Sequence, residues 1–172
     1  ITEKMRDKSK KGTLLWVLDK TSTSMGGRLL RRWLNDPLLE VKEIQERLDA
    51  VKELKDNMML RGEITDTLKK VYDIERLVGK IAYGNSNGRE MNSLKTSLMQ
   101  IPAIKELLKE NKSALIRKLE ENLDACEDLA KLIDSAIIDD PPISVKEGGI
   151  IKTGFNQEVD EYKKASTEGK TW

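Results

Sequence analysis

The stretch 21–34, TSTSMGGRLLRRWL, sets two adjacent glycines beside hydroxyl residues and ahead of three arginines. A glycine turn that opens onto a helix can cradle phosphate, because free backbone N–H groups and the helix N-terminus both favour negative charge. A phosphate loop of the nucleotide-hydrolase kind needs Gly, four residues, then Gly-Lys and a hydroxyl residue. Here Gly26-Gly27 is followed by Arg28-Leu29, so the lysine and the metal-holding hydroxyl are missing from those places. Nor does GGRLL match the three spaced glycines of a dinucleotide site. The reading that remains is that Gly26 and Gly27 let a helix approach a neighbour closely. Arg28, Arg31 and Arg32 could grip phosphates as a stripe. In a chain with 30 acidic residues, they read better as a solvated face or as partners of acidic helices.

The other reactive residue types are equally spare. The chain has no histidine, which removes the commonest general base and metal ligand. Its one cysteine, Cys126, allows no internal disulfide and no cysteine zinc site. Cys126 falls on an apolar face, and reads as a small buried hydrophobe with no histidine to activate it. Asp139-Asp140, followed by Pro141-Pro142, reads as a helix terminator rather than a metal or acid/base pair. Glu120-Glu121 reads as a solvated face, Met58-Met59 as gap-filling, and Trp16 and Trp33 as core anchors. No catalytic, cofactor-binding or metal-binding residue is assigned, and the 172 residues are read as lacking catalysis of their own.

Composition narrows the class. With 31 basic and 30 acidic residues the formal charge is +1, which argues against a module whose whole surface grips nucleic acid. Charged residues make up 35% and aromatics 4%, a balance that points to helices. No run approaches the roughly 20 apolar residues of a membrane span, and no signal-peptide pattern opens the chain. A reducing, cytoplasmic setting is consistent with the lone cysteine. The start at Ile1 and the stop at Trp172, inside an apparent helix, suggest an excised fragment.

The elements that must position these residues emerge from apolar spacing. After a basic N-terminal stretch comes LLWVLD, a short apolar run, with Asp19 or Thr21 able to cap the next helix. Met25, Leu29, Leu30, Trp33 and Leu34 make one helical face, stopped at Asn35-Asp36-Pro37. Val41, Ile44, Leu48, Val51 and Leu54 predict a second helix. Leu60 through Ile81 predicts a third, ending near Gly84, with 84–88 a loop. Met91 to Leu108 predicts a fourth that Pro102 breaks or restarts. Ser113 offers a cap for a fifth, from Ile116 through Cys126 to Ile137. Residues 143–156 predict two short extended pieces around a turn. Asn156 then caps a last helix that runs through Val159 and Tyr162 to the chain end. The expected fold is all-α, a multi-helix bundle or layered array, with a short β-like segment around 143–155.

Several stretches together resemble the central core, or lever, domain of the MutS family of DNA mismatch repair proteins. They are GTLLWVLDKTSTSMGGRLLRRWL (12–34), ERLDAV (46–51), YDIERLVGKIAYGNSNGREMNSL (72–94), DDPP (139–142) and EGGIIKTGFNQEVDEY (147–162), in the family's order over nearly the whole chain. The resemblance implies a mostly helical domain that links mismatch-reading and connector regions to an ATPase domain, with lever helices leading to a clamp around DNA. It implies that 1–172 is one core/lever fragment, ending within the first lever helix, from about Gln157, before the clamp. It further implies an intact homodimer that meets mismatched double-stranded DNA and MutL, and that uses ATP and Mg. No cofactor is expected in this fragment. The family's mismatch wedge is Phe-x-Glu, and Phe155-Asn156-Gln157 is not that motif, so no mismatch-contact residue transfers.

A competing reading is a helical, non-specific DNA-binding module. It would use Lys4, Arg6, Lys8, Lys10 and Lys11 with Arg28, Arg31 and Arg32, and would weaken steeply with salt. A core without its returning lever helix should also expose an apolar strip, and be a monomer that self-associates weakly or frays over 157–172.

Overall fold

The computed structural model describes residues 1–5 and 8–168. Arg6 of the basic N-terminus and the end of the last predicted helix, from Gly169, lie outside the described residues. The described chain is all-α. Its helices are α1 (Leu14–Leu18), α2 (Ser24–Asn35), α3 (Val41–Asp56), α4 (Met58–Leu68) and α5 (Ile74–Ala82). They continue with α6 (Gly88–Leu98), α7 (Ile101–Leu108), α8 (Ala114–Asn122), α9 (Glu127–Ala136) and α10 (Gln157–Glu168). Among the described residues no helix is long and apolar enough to cross a membrane.

Two of the predicted helices are each a pair. The expected 60–81 helix divides into α4 and α5 because residues 69–71 close a tight turn and the Asp73 side chain accepts the Arg76 N–H to start a new helix. The expected 116–137 helix divides at Leu123–Cys126. There Asp124 Oδ1 accepts the Cys126 N–H at 2.9 Å, and Cys126 takes the left-handed conformation, φ 46°, which non-glycine residues seldom adopt. Glu127 and Asp128 then open α9, where carboxylates favour the helix dipole. Pro102 sits in the first turn of α7, where its missing N–H costs nothing.

The caps differ from the predicted ones in two places. Thr23, not Asp19 or Thr21, caps α2 by accepting the Gly26 N–H at 3.0 Å. Asp19 Oδ1 instead accepts from the Thr21 N–H and hydroxyl. Ser113 makes no side-chain cap. Glu53 of α3 reaches across and accepts the N–H groups of Lys112 at 2.7 Å and Ser113 at 2.8 Å, capping α8 from another helix.

The core sits between α5, α6 and α9. Leu77, Leu94, Leu98, Ala130, Ile133, Ala136 and Ile137 are buried together, and each large side chain there contributes about 1.5–3 kcal/mol. Ser97 is fully buried on α6. Its hydroxyl donates to the Ser93 carbonyl at 2.8 Å and accepts the Tyr72 N–H at 2.9 Å, so this hydroxyl is not stranded. A second layer packs α3 along α8 and α4, and α4 along α7. In it and in α1–α2 the buried apolar side chains, among the described residues, are Leu15, Ala50 and Ile116.

The β-like segment is smaller than the two extended pieces expected. Val145–Glu147 is a 3₁₀ turn. Ile151 forms one antiparallel bridge with Ile137 at the end of α9. Gly148 and Gly149 both take positive φ at the turn, but the piece before them is the 3₁₀ turn, not a strand, and the piece after them pairs with the end of α9.

Candidate functional site

The residues that could carry a task for this domain gather where the chain leaves the core, between the end of α9 and the root of α10. Pro141 is fully buried, and a Cβ on Gly88 would lie 2.7 Å from Pro141 Cβ and 2.9 Å from Ile150 Cγ2. Only glycine admits this approach at the start of α6. Beside it Arg89 Nε donates to the Pro141 carbonyl at 2.8 Å, and Asn92 Nδ2 donates to the carbonyls of Ile138 and Asp139 at 2.8 and 3.1 Å. The Asp139-Asp140-Pro141-Pro142 turn is therefore gripped through its backbone.

From that turn the chain runs through the 3₁₀ turn into a short strap, residues 150–154. The strap is laced to α9: the Ile138 N–H donates to the Ile150 carbonyl at 3.0 Å, and the Lys152 N–H to the Ala136 carbonyl at 2.7 Å. Lys152 Nζ lies 3.5 Å from Asp139 and 3.8 Å from Asp134. Lys95 of α6 holds the same Asp134 at 2.9 Å and keeps its carboxyl below the ordinary carboxylate range.

The strap in turn holds α10. Asn156 Oδ1 accepts the Val159 N–H at 3.1 Å, which is the predicted cap. The Gly154 N–H donates to Asp160 Oδ2 at 2.7 Å, and Lys163 Nζ donates to the Ile151 carbonyl at 2.6 Å. The face of α10 that carries Val159, Tyr162 and Lys163 borders a cleft of about 820 Å³, which the 86–88 loop and strap residues Ile150 and Ile151 also line.

The sequence-predicted residues are scattered rather than convergent. Arg28 is bidentate to Asp73, at 2.7 Å through each nitrogen, and also meets Glu75 at the start of α5. The Arg28 guanidinium holds the Asp73 carboxyl below its usual range, and the two acids push Arg28 up. Arg31 meets Glu3 at 3.3 Å. The stripe is thus largely engaged with acids of the same chain, and Arg32 is exposed beside it. Gly26 and Gly27 do not accommodate a neighbouring helix. The atoms nearest their Cβ positions belong to Thr21, Thr23 and Asp19 of the entry loop, which folds over the first turn of α2.

Cys126 is half-buried at the α8–α9 break rather than within a helix face, and burial, then Asp124 and Asp128, push its thiol up. Met58 and Met59 are exposed. Trp16 is 52% exposed and Trp33 37%, so neither anchors the core. The Arg47 guanidinium lies 3.8 Å over the Trp33 ring instead, a contact worth about 0.5–1 kcal/mol at an exposed site. Glu120 faces Lys105 at 3.9 Å. Among the described residues no group of three or more His, Cys, Asp or Glu is placed to hold a metal ion.

Sequence reasoning missed Arg89, Asn92, Lys152, Lys163 and Glu53, and read Asp160 only as a first-turn acid of the last helix. Their partners are backbone groups or acids 12 to 60 residues away, apart from Asp160 six residues beyond Gly154. No local motif announces such pairs.

Comparison with known proteins agrees with this architecture. A model of the family described as MutS domain III matches residues 1–168. The DNA mismatch repair protein MutS of Ruminiclostridium cellulolyticum is 55% identical over all 172 residues, which are 20% of that relative. Those of Acetivibrio thermocellus and Clostridium botulinum (strain Hall) are 52% and 51% identical over the same length, 20% and 18% of each relative. The chain spans about a fifth of the length of the curated relatives it matches.

Proposed function

The chain belongs to the MutS domain III family, and from that premise we propose that it is the structural and allosteric core of a DNA mismatch repair protein. In this reading it links the mismatch-binding and clamp regions to an ATPase domain and does no chemistry itself. Residues 1–172 form one core/lever unit that ends in the first lever helix, α10. The intact protein is a cytoplasmic homodimer that meets mismatched double-stranded DNA and MutL, and this chain alone is a monomer or weakly self-associating.

One observation supports the reading above others: α10 is fastened at its root to the strap, and the strap to α9, while no described α10 residue belongs to the buried core cluster. A helix held at one end by the core suits transmission, which requires elements whose arrangement two distant sites can bias. ATP and Mg belong, in this proposal, to the parent protein. The residues here do not fit a nucleotide: the glycines of α2 are covered by Thr21 and Thr23, and Arg28 is committed to Asp73 and Glu75.

The test is biochemical. The purified 172-residue chain should neither hydrolyse ATP nor prefer mismatched over matched duplex. Robust hydrolysis, or a clear mismatch preference, would overturn the proposal. The non-specific DNA-binding alternative gains no support from the ion pairs, since Arg28 and Arg31 are matched to acids within the chain.

A further inference from the structure

We propose that Asp160 and Lys163 form a clasp that sets the direction in which α10 leaves the bundle. They are positioning residues for the transmission role, and this inference rests on that reading of the domain. The two side chains stand three residues apart, so they lie on one helix face. Both grip the strap: Asp160 through the Gly154 N–H and Lys163 through the Ile151 carbonyl. Lys163 Nζ also lies 4.0 Å from Asp160 Oδ1. The strap is bridged to α9 at Ile137, so the clasp joins α10 to the core by a continuous polar path.

Packing does not do the same work. Val159 is the half-buried apolar residue of the first turn, and Tyr162 is 76% exposed. The side of α10 carrying Val159 and Tyr162 borders the 820 Å³ cleft rather than a filled interface, and Lys163 reaches Ile151 at the edge of that cleft. Close-packed cores resist tilting because any shift creates voids or clashes. A helix beside open space has no such resistance, and its angle depends on its polar ties. Here those ties are charge-assisted hydrogen bonds, the stronger class. With the clasp closed, α10 follows the strap. With it open, Tyr162 and Val159 can move into the cleft.

The experiment is a spin-label distance measurement in the full-length protein, without nucleotide or DNA. Labels sit at Lys131→Cys on α9 and Lys164→Cys on α10, with Cys126→Ser and the other native cysteines removed. The parent should give one narrow distance distribution. Lys163→Met and Asp160→Ala should each raise the unclasped population about tenfold, the equivalent of one charge-assisted hydrogen bond. Lys163→Arg, which keeps a donor on the same stem, should restore the narrow distribution. Should Asp160→Ala fail to fold, Asp160→Asn keeps an acceptor for Gly154 and loses the attraction to Lys163, and should broaden the distribution less than Lys163→Met. Distributions unchanged in Lys163→Met and the aspartate variant overturn the clasp. So does broadening that Lys163→Arg fails to reverse. The transmission reading fails separately, if the parent distance is indifferent to added ATP while the clasp variants still broaden it.

Discussion

Along α9, Ala130, Ile133, Ala136 and Ile137 recur at helical spacing and all four are buried. Along α3, Val41, Ile44, Leu48 and Val51 recur at similar spacing and all four are exposed, Val41 at 78%. The two faces are alike as patterns and opposite in fate. The difference lies in what surrounds them. α9 packs against α6 beneath the strap. The neighbours of α3 are α8 and α4, and they cover its other side, where Ala50 is buried and Glu53 caps α8. An apolar stripe reports that a helix has a face to cover, not that the same stretch of chain covers it. α1 and α2 side with α3: Leu14, Trp16, Val17, Leu18 and Leu29 are all exposed. Exposed large apolar side chains are thus many on α1–α3, and Ile143, Val145, Phe155 and Tyr162 are exposed beside α10 as well.

The largest test of this contrast is a matched pair of truncations. Ile133 is 2% exposed, and Ile133→Ala in the 172-residue chain should cost about 3 kcal/mol, the transfer of the lost carbons plus the cavity they leave. Leu48 is 55% exposed, and Leu48→Ala should stay within about 0.5 kcal/mol. Urea denaturation of both variants reads the two values directly. Equal costs would show that α3 is as integral to the fold as α9, and the contrast would fall.

Glycines divide the molecule in the same way. Gly88→Ala must push Pro141 or Ile150 aside, and neither has a flexible end to give, so it should lose about 1–3 kcal/mol by overpacking. Gly62, on exposed α4, has nothing within 4 Å of its Cβ position. Gly62→Ala should gain up to about 1 kcal/mol from helix propensity and a less free unfolded chain. Thermal melts that moved both variants in one direction would erase the distinction between a packed junction and an open layer.

Much of the frame is legible in the sequence. The helical class, the stop at Pro37, the restart at Pro102, the loop at 84–88 and the Asn156 cap all rest on local rules, and local rules survive into the fold. The illegible part depends on sequence-distant partners. Asp73 and Cys126 open new helices in the middle of an unbroken apolar period, and only the turn geometry around them shows it. Trp16 and Trp33 resemble core residues as long as size and apolarity are the only guides. The junction between α9 and α10 reads as a change of character at 143–156, while of its working groups Asp160 reads only as a first-turn helix acid, and nothing in the sequence singles out Lys163, Arg89 or Asn92. Polar groups that tie to backbone leave no periodic trace.

Glu53 provides the smallest and most selective test, because it joins the two layers' logic in one side chain: an outer helix that adds a charged tie to its packing against a neighbour. Burial works to raise its carboxyl, but the N–H groups of Lys112 and Ser113, with the Lys112 charge, outweigh it and hold Glu53 below its ordinary value of 4.5. A folded value below the unfolded one means stabilisation that is complete above about pH 4.5 and lost as pH falls through the depressed value. Glu53→Gln can accept one of the two N–H groups but carries no charge. It should cost about 1 kcal/mol at neutral pH. Because glutamine does not titrate, the gap between parent and variant should close as pH drops below about 4.5. Asp73, Glu90 and Asp134, each held low by its basic partner, keep both proteins acid-sensitive, so the difference between the two denaturation curves is the quantity to follow. A gap that widens on acidification would mean that folding raises the Glu53 carboxyl rather than lowering it, and that α8 is capped in some other way.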